Sequence, residues 1–455
     1  MYGEFSRRRF LKKAAGLAAG IGVAMAADDL EVLAAQETGG PPAPPGADDK
    51  IVVGFIGVGG MGSYNLSDFK SCPEVAIAAV CDVDEGRRNN AAVAAGSNPA
   101  MYNDYRELLE RDDIDAVVIA TPDHWHCLPA VHACEAGKDV YCEKPLSLTV
   151  KQGRAMVEAA RRYGRVTQVG TQQRGGTHFQ RAVQIVQDGL LGKVSLCRTW
   201  IIGHGGSVGF PPDSDPPPGL DWNMFLGPAP YHRYNPLRSF GSFRFFWDTA
   251  GGTITDWGTH LVDIVHWAMG VDAPLAAAAS GGNYVWDDAR ETPDTMEVIW
   301  DYPGFTCLWS LHDANGYPFW ARTNLKPPVV EDGVAYTAMS GKGYGMAFYG
   351  TNGTMFLDRE GFIVMPEGDR MQGIESGSSD QHLSHIKDFL RCVKTRERCR
   401  SDMEVAHRST SAPHIANIAY WTGRKVHWDR EAERVLDDPD ADRLTGRPMR
   451  PPWHL

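Results

Sequence analysis

The stretch Gly57-Val58-Gly59-Gly60-Met61-Gly62 has the glycine spacing that holds a pyrophosphate. Gly57 permits a tight turn, Gly59 lets phosphate oxygens approach the backbone, and Gly62 lets helix and strand pack closely. Gly60 and Met61 complete the turn, and the helix they open presents its N-terminus to the negative charge. Asp82 follows Gly62 by twenty residues, at the end of the next apolar run. A carboxylate there accepts hydrogen bonds from adenosine ribose hydroxyls and repels a 2′-phosphate, which favours NAD over NADP. Arg87 and Arg88 weaken that preference, although a solvated helix face is the simpler reading of both.

Further polar residues gather at strand ends. In "ATPDHWH" (120–126), Thr121 and Pro122 fall where strands open into a ligand crevice, and His126 is counted with them as a cofactor-edge residue. His124 and His126 have no third ligand nearby in sequence, so no metal is expected. In "CEKP" (142–145), Pro145 breaks the strand and holds Lys144, with Glu143 beside it, at the sheet edge next to the expected nicotinamide. An ammonium there can hydrogen-bond a substrate hydroxyl and stabilise a developing alkoxide. Gln172, Gln173 and Arg174 follow another strand and are candidates for the substrate side, with a polar loop an equal alternative.

These residues need a scaffold, and the chain supplies one. "KIVVGFIGV", "VAIAAVCDV", "DAVVIATP" and "KDVYCEKP" are short apolar strands separated by amphipathic helices, the pattern of a parallel sheet covered on both faces. A doubly wound α/β domain is therefore expected over residues 50–170. From 171 to 455 the reading is α+β: alternating strands joined by Tyr-Pro-Gly, Thr-Asn-Gly and Arg-Glu-Gly turns form a large, mostly antiparallel open sheet. Helices are expected near 257–269 and 380–421. The proline-rich "GFPPDSDPPPGLDW" (209–222) is expected to be a lid or rim loop.

A length of 455 residues fits two domains, and a net charge of −12 excludes nucleic acid as a partner. Nine scattered cysteines without a C-x-x-C pair indicate neither a disulfide framework nor a zinc ribbon. The N-terminal "SRRRFLKK" resembles a twin-arginine signal, expected to span 1–35 before a Pro/Gly-rich linker at 36–49. This predicts export to the periplasm in folded form by the twin-arginine translocase, with no membrane span in the mature chain.

Taken together, the glycine turn, the acidic residue, TPxxxH, EKP and "GGTITDWGTHLVDIVHW" (251–267) resemble the glucose-fructose oxidoreductase/inositol dehydrogenase (Gfo/Idh/MocA) family. The resemblance runs from residue 50 onward. It implies a Rossmann domain followed by a substrate and oligomerisation domain, and a homodimer or homotetramer. It also implies that Asp256 and His260 face the cofactor, making Lys144, Asp256 and His260 the catalytic set, with Asp263 one turn on near the substrate. Residues four apart share a helix face, and a histidine titrates near neutrality.

Three activities suit this set. One is oxidation of a sugar or polyol hydroxyl. Another is glycoside cleavage or lyase chemistry by transient oxidation, elimination, hydration and re-reduction. The third is sugar binding without catalysis, which the catalytic trio argues against. Outside the inner membrane free nicotinamide cofactor is scarce, so an exported enzyme is expected to hold NAD tightly and recycle it in place.

Overall fold

The computed structural model describes residues 46, 49–203, 205–316, 329–331, 334–336 and 343–455. The expected signal and all but a few residues of the linker lie outside the described residues.

The first domain is built on β1 (Ile51–Ile56), β2 (Val75–Cys81), β3 (Ala100–Tyr102), β4 (Ala116–Ile119), β5 (Asp139–Cys142) and β6 (Thr167–Val169). Between them run α1 (Gly60–Lys70), α2 (Glu85–Ala95), α3 (Tyr105–Leu109), α4 (Cys127–Glu135) and α5 (Val150–Arg162). The strands are parallel in the order β3-β2-β1-β4-β5-β6, so the order reverses between β1 and β4 and opens a crevice at the strands' C-terminal ends. All four residues of β4 and all four of β5 are buried, as expected for apolar runs covered on both faces. Side-chain caps fix where helices start: Asp84 accepts from Arg87 N before α2, and Thr149 from Gln152 N before α5.

The second domain adds α6 (Thr177–Gln187), β7 (Val194–Ile202), α7 (Trp222–Leu226), α8 (Thr259–Met269), β8 (Ala276–Gly282), β9 (Thr295–Tyr302) and β10 (Phe305–His312). It continues through a separate small hairpin, β11 (Val329–Glu331) and β12 (Val334–Tyr336). Then come β13 (Tyr344–Gly350), β14 (Gly353–Asp358), β15 (Gly361–Pro366), β16 (Ile374–Gly377), α9 (His382–Thr395), α10 (Met403–Thr422), β17 (Val426–Asp429), β18 (Arg434–Leu436) and α11 (Pro439–Arg443).

Ten strands form one sheet in the order β16-β15-β14-β13-β7-β10-β9-β8-β17-β18, antiparallel except where β7 meets β10. Along β9, Met296, Val298, Trp300 and Tyr302 point into the core while Glu297 and Ile299 face out. Residues of α6, α8 and α10 fill the core against the inward face. Among the described residues no helix is long and apolar enough to cross a membrane.

Two expectations are refined. The single helical stretch expected at 380–421 is two helices, because Arg396 adopts a left-handed φ of +60° and Asp402 then caps a new helix through Glu404 N. Moreover, α9 packs on the first domain: Phe389 meets Phe69 at 6.2 Å and Tyr141 at 5.8 Å between ring centroids. The loop at 209–222 lacks regular structure, as its prolines require, and is tied to the first domain. Glu85 N donates to Gly219 O at 2.9 Å and Asp221 N to Val83 O at 3.0 Å.

Because Phe389 is wholly buried in the first domain's core, Phe389→Ala should cost about 3–5 kcal/mol of stability. Urea unfolding followed by fluorescence measures it, and a loss below about 1 kcal/mol would show that α9 is not integral to that core.

Candidate active site

The phosphate turn has the geometry its glycines suggest. Gly57 has φ +82°, and a Cβ there would stand 2.8 Å from the Ala120 and Thr121 backbone. A Cβ on Gly62 would lie 2.1 Å from Gly57 O, so β1, the turn and α1 close up only with hydrogen at that position. The first turn of α1 carries no acidic side chain and no side-chain cap, which leaves its N-terminus available to an anion.

Asp82 ends β2 with Oδ2 accepting from Val58 N and Oδ1 from Asp84 N, each at 2.9 Å. Burial pushes its carboxyl up and these two bonds pull it back. The neighbouring arginines part company. Arg87 reaches the cavity, its guanidinium 3.4 Å from the Phe240 ring centre, while Arg88 turns away to Asp82 O at 2.5 Å.

A cavity of about 370 Å³ runs past Gly57, Gly59, Gly60, Met61, Asp82, Thr121, Pro122, Glu143 and Lys144, and Met224, Phe225 and Phe240 of the second domain roof it. A second cavity, about 560 Å³, is lined by Gln172, Asp256, Trp257, His260 and Arg359. Met61, Glu143, Lys144 and Arg244 belong to both walls, so the two spaces meet at Lys144.

At that junction Lys144 Nζ donates to Asp256 Oδ1 at 2.5 Å and to Asp256 O at 3.1 Å. Arg244 Nε lies 3.1 Å from the same carboxylate oxygen. Burial alone would raise the Asp256 carboxyl, but Lys144 and Arg244 hold it well below the usual range, so it is ionised. Burial, then Lys144 and Arg359, push the His260 imidazole well below its ordinary pKa, leaving it neutral. Glu143 Oε1 accepts from Asn65 Nδ2 at 3.0 Å and Gln172 Nε2 at 3.2 Å, and burial raises its pKa.

The helix carrying Asp256 and His260 opens with a π-turn over Ile254–Gly258 and then becomes α8, so their spacing is not purely α-helical. Both residues still line the second cavity.

Other sequence expectations need correction. Arg174 and Asp263 form a buried bidentate pair, Nε to Oδ2 at 2.7 Å and Nη2 to Oδ1 at 2.9 Å, with Ser409 Oγ donating to Oδ1 at 2.7 Å. Neither residue lines either of these two cavities, because a desolvated guanidinium and carboxylate satisfy each other. Gln173 is also buried away from both walls; Gln172 is the residue that reaches the site. His126 lines neither of the two cavities. Its Nδ1 lies 2.7 Å from Pro145 O and its Nε2 2.9 Å from Thr121 O, so it braces the two loops that carry Lys144 and Thr121.

Asp123, Arg244 and Arg359 are among the cavity residues that escaped the sequence reading. Burial pushes the Asp123 carboxyl up to about 7, with Arg244 opposing and Asp256 reinforcing the shift. Arg244 lies in an aromatic run without periodicity, and Arg359 occupies the tip of the β14–β15 hairpin.

The first cavity fits NAD. Its turn has no room for a Cβ at Gly57, Gly59 or Gly62, Asp82 sits at the ribose end, and Thr121 Oγ1 on its wall is buried without a partner. Asp263→Ala, by contrast, should destabilise the fold by about 3–5 kcal/mol through the orphaned Arg174, without changing nicotinamide content. Urea unfolding and mass spectrometry of bound cofactor check both halves; loss of cofactor at unchanged stability would restore Asp263 to the site.

Residues 51–171 match the model described as "Oxidoreductase family, NAD-binding Rossmann fold", and 176–280 with 354–455 match "Oxidoreductase family, C-terminal alpha/beta domain". The chain is 33% identical over 151 residues to the uncharacterized oxidoreductase YrbE of Bacillus subtilis, covering 33% of this chain and 43% of that protein. It is 33% identical over 203 residues to an alpha-N-acetylgalactosaminidase of Shewanella oneidensis, covering 41% and 44% respectively. It thus spans less than half the length of the curated relatives it matches. The fold is similar to that of a levoglucosan dehydrogenase solved with NADH and levoglucosan, with TM-score 0.62, 17% identity, and coverage of 83% of this chain and 99% of that one. Glycine turn, Asp82, the Lys144 junction and both matched domains lead to one conclusion: the chain belongs to the Gfo/Idh/MocA oxidoreductase family and carries its NAD-binding Rossmann domain.

Proposed function

We propose that this enzyme oxidises a hydroxyl of a sugar or polyol with an NAD that stays bound and is returned to its starting state in the site. The observation that carries the reading is Lys144, held by Asp256 where the cofactor cavity opens into the His260 cavity. When bound, NAD supplies a hydride acceptor.

The chain's own residues do the rest. Of the three N–H donors of Lys144, one goes to Asp256 Oδ1 and one to Asp256 O, so one is left for a substrate oxygen. That donor and the positive charge favour alkoxide character on the oxygen as its proton leaves. His260, neutral and on the substrate side, takes that proton. Asp256, ionised between Lys144 and Arg244, fixes the ammonium. The side chains roofing the first cavity keep water from the cofactor.

A second reading, redox-neutral glycoside cleavage, is favoured by the glycosidase among the relatives and by a cofactor that needs no external regeneration. It uses the same residues: oxidation acidifies the neighbouring C–H, the glycosidic substituent leaves, water adds, and reduction restores the hydroxyl. The twin-arginine stretch supports export with cofactor aboard, which either form of recycling would require.

Purified protein, with no cofactor added, should carry nicotinamide through gel filtration, as read by mass spectrometry; its absence would remove the recycling argument. Incubated with sugars, sugar pairs and aryl glycosides, it should transfer hydride between two sugars, whereas aglycone release selects the second reading. His260→Ala should lower kcat by about 10²–10⁴-fold with cofactor retained. Full activity in that variant would overturn the assignment of the base.

A further inference from the structure

The wall of the second cavity carries one cation, Arg359, that its catalytic residues do not use. Arg359 rises from the turn between β14 and β15, and its guanidinium stacks 4.9 Å from the Trp257 ring centre and 5.8 Å from that of Tyr344. Its Nε is buried and without a hydrogen-bond partner, and among the described residues it has no carboxylate within ion-pair distance. Stacking on rings offsets part of the cost of burying a cation but does not satisfy its N–H groups.

The other charges on the wall are already committed. Asp256 is shared by Lys144 and Arg244, and Glu143 accepts from Asn65, Gln172 and the Lys144 backbone. His382 is bound to Asp68 at 2.5 Å and to Asn65 at 3.1 Å. Asp380, exposed at the rim, accepts from His382 N and Leu383 N. The cofactor does not explain Arg359 either, since the phosphate turn lies on the first cavity, whose wall Arg359 does not join.

We infer that the second cavity takes a sugar bearing an oxyanion, a carboxylate or a sulfate ester, with Arg359 as the partner of that group and Lys144 and His260 at the reacting hydroxyl. This rests on the function proposed above. A planar guanidinium whose Nε–H has no partner among the described residues matches a carboxylate or sulfate in two-point contact, and its stacking on Trp257 holds it in one orientation on the cavity wall. An anion there also offsets the field that Arg359 exerts on His260, which helps the imidazole hold a proton.

The test is calorimetric titration of the cofactor-loaded enzyme with matched pairs: glucose and glucuronate, galactose and galacturonate, and galactose and galactose 6-sulfate. The acidic member should bind about 10–100-fold more tightly, and Arg359→Gln should bring the ratio within each pair to about 1. Arg359→Lys should restore part of the preference, more for sulfate than for carboxylate if charge alone acts. The carboxylate and sulfate arms identify which oxyanion is preferred. Equal or tighter binding of neutral sugars, or an acidic preference that survives in Arg359→Gln, overturns this inference and leaves the proposed function intact. Absence of binding by every sugar, acidic and neutral, overturns both.

Discussion

The ion pair between Lys144 and Asp256 crosses from one domain to the other, 112 residues apart in sequence, at the one place where the two cavities share a wall. Both side chains are largely withdrawn from water, a state that costs several kcal/mol per charge unless hydrogen bonds answer each one. The site meets that condition asymmetrically. Asp256 receives two cations, whereas Lys144 is left with one unused donor, so the arrangement is complete as structure and incomplete as chemistry. A group at this position that satisfied itself entirely would hold the domains together and do nothing else.

Keeping that pair in register demands rigidity on both sides. On the first domain, Lys144 follows β5 directly, and His126 braces its loop by contacting Pro145 O and Thr121 O. On the second, the π-turn at Ile254–Gly258 runs straight into α8, which is pinned by the buried Arg174–Asp263 pair and Ser409. These residues touch neither cavity, yet they set where Asp256 and His260 stand. They are positioning residues, which is why polar chemistry appears in them without exposure.

How much of this was legible in the sequence follows from what each residue's role depends on. The glycine turn, Asp82 and Lys144 could be read directly because their roles are local: a turn conformation, a strand end, a break at Pro145. Asp256 and His260 needed the family resemblance, since a histidine on an apolar helix face is equally compatible with the core. Arg174, Asp263 and His126 were misplaced because a polar residue at a strand end or on a helix face looks the same whether it faces a cavity or a buried partner. Arg244 and Arg359 left no trace at all. They reach the site from a short aromatic 3-10 helix at Phe240–Phe245 and a hairpin tip, so only the long-range packing of β13, β14 and that helix brings them there.

The same packing bears on cofactor retention. The 209–245 segment bonds to the end of the first domain through Gly219 and Asp221 and lays Phe240 over Arg87, so the adenosine end of the cavity is covered by residues of the other domain. This cover is made of contacts between the two domains rather than of one side chain. All nine cysteines are buried thiols without a disulfide, so the fold that makes this cover needs no oxidising compartment to form.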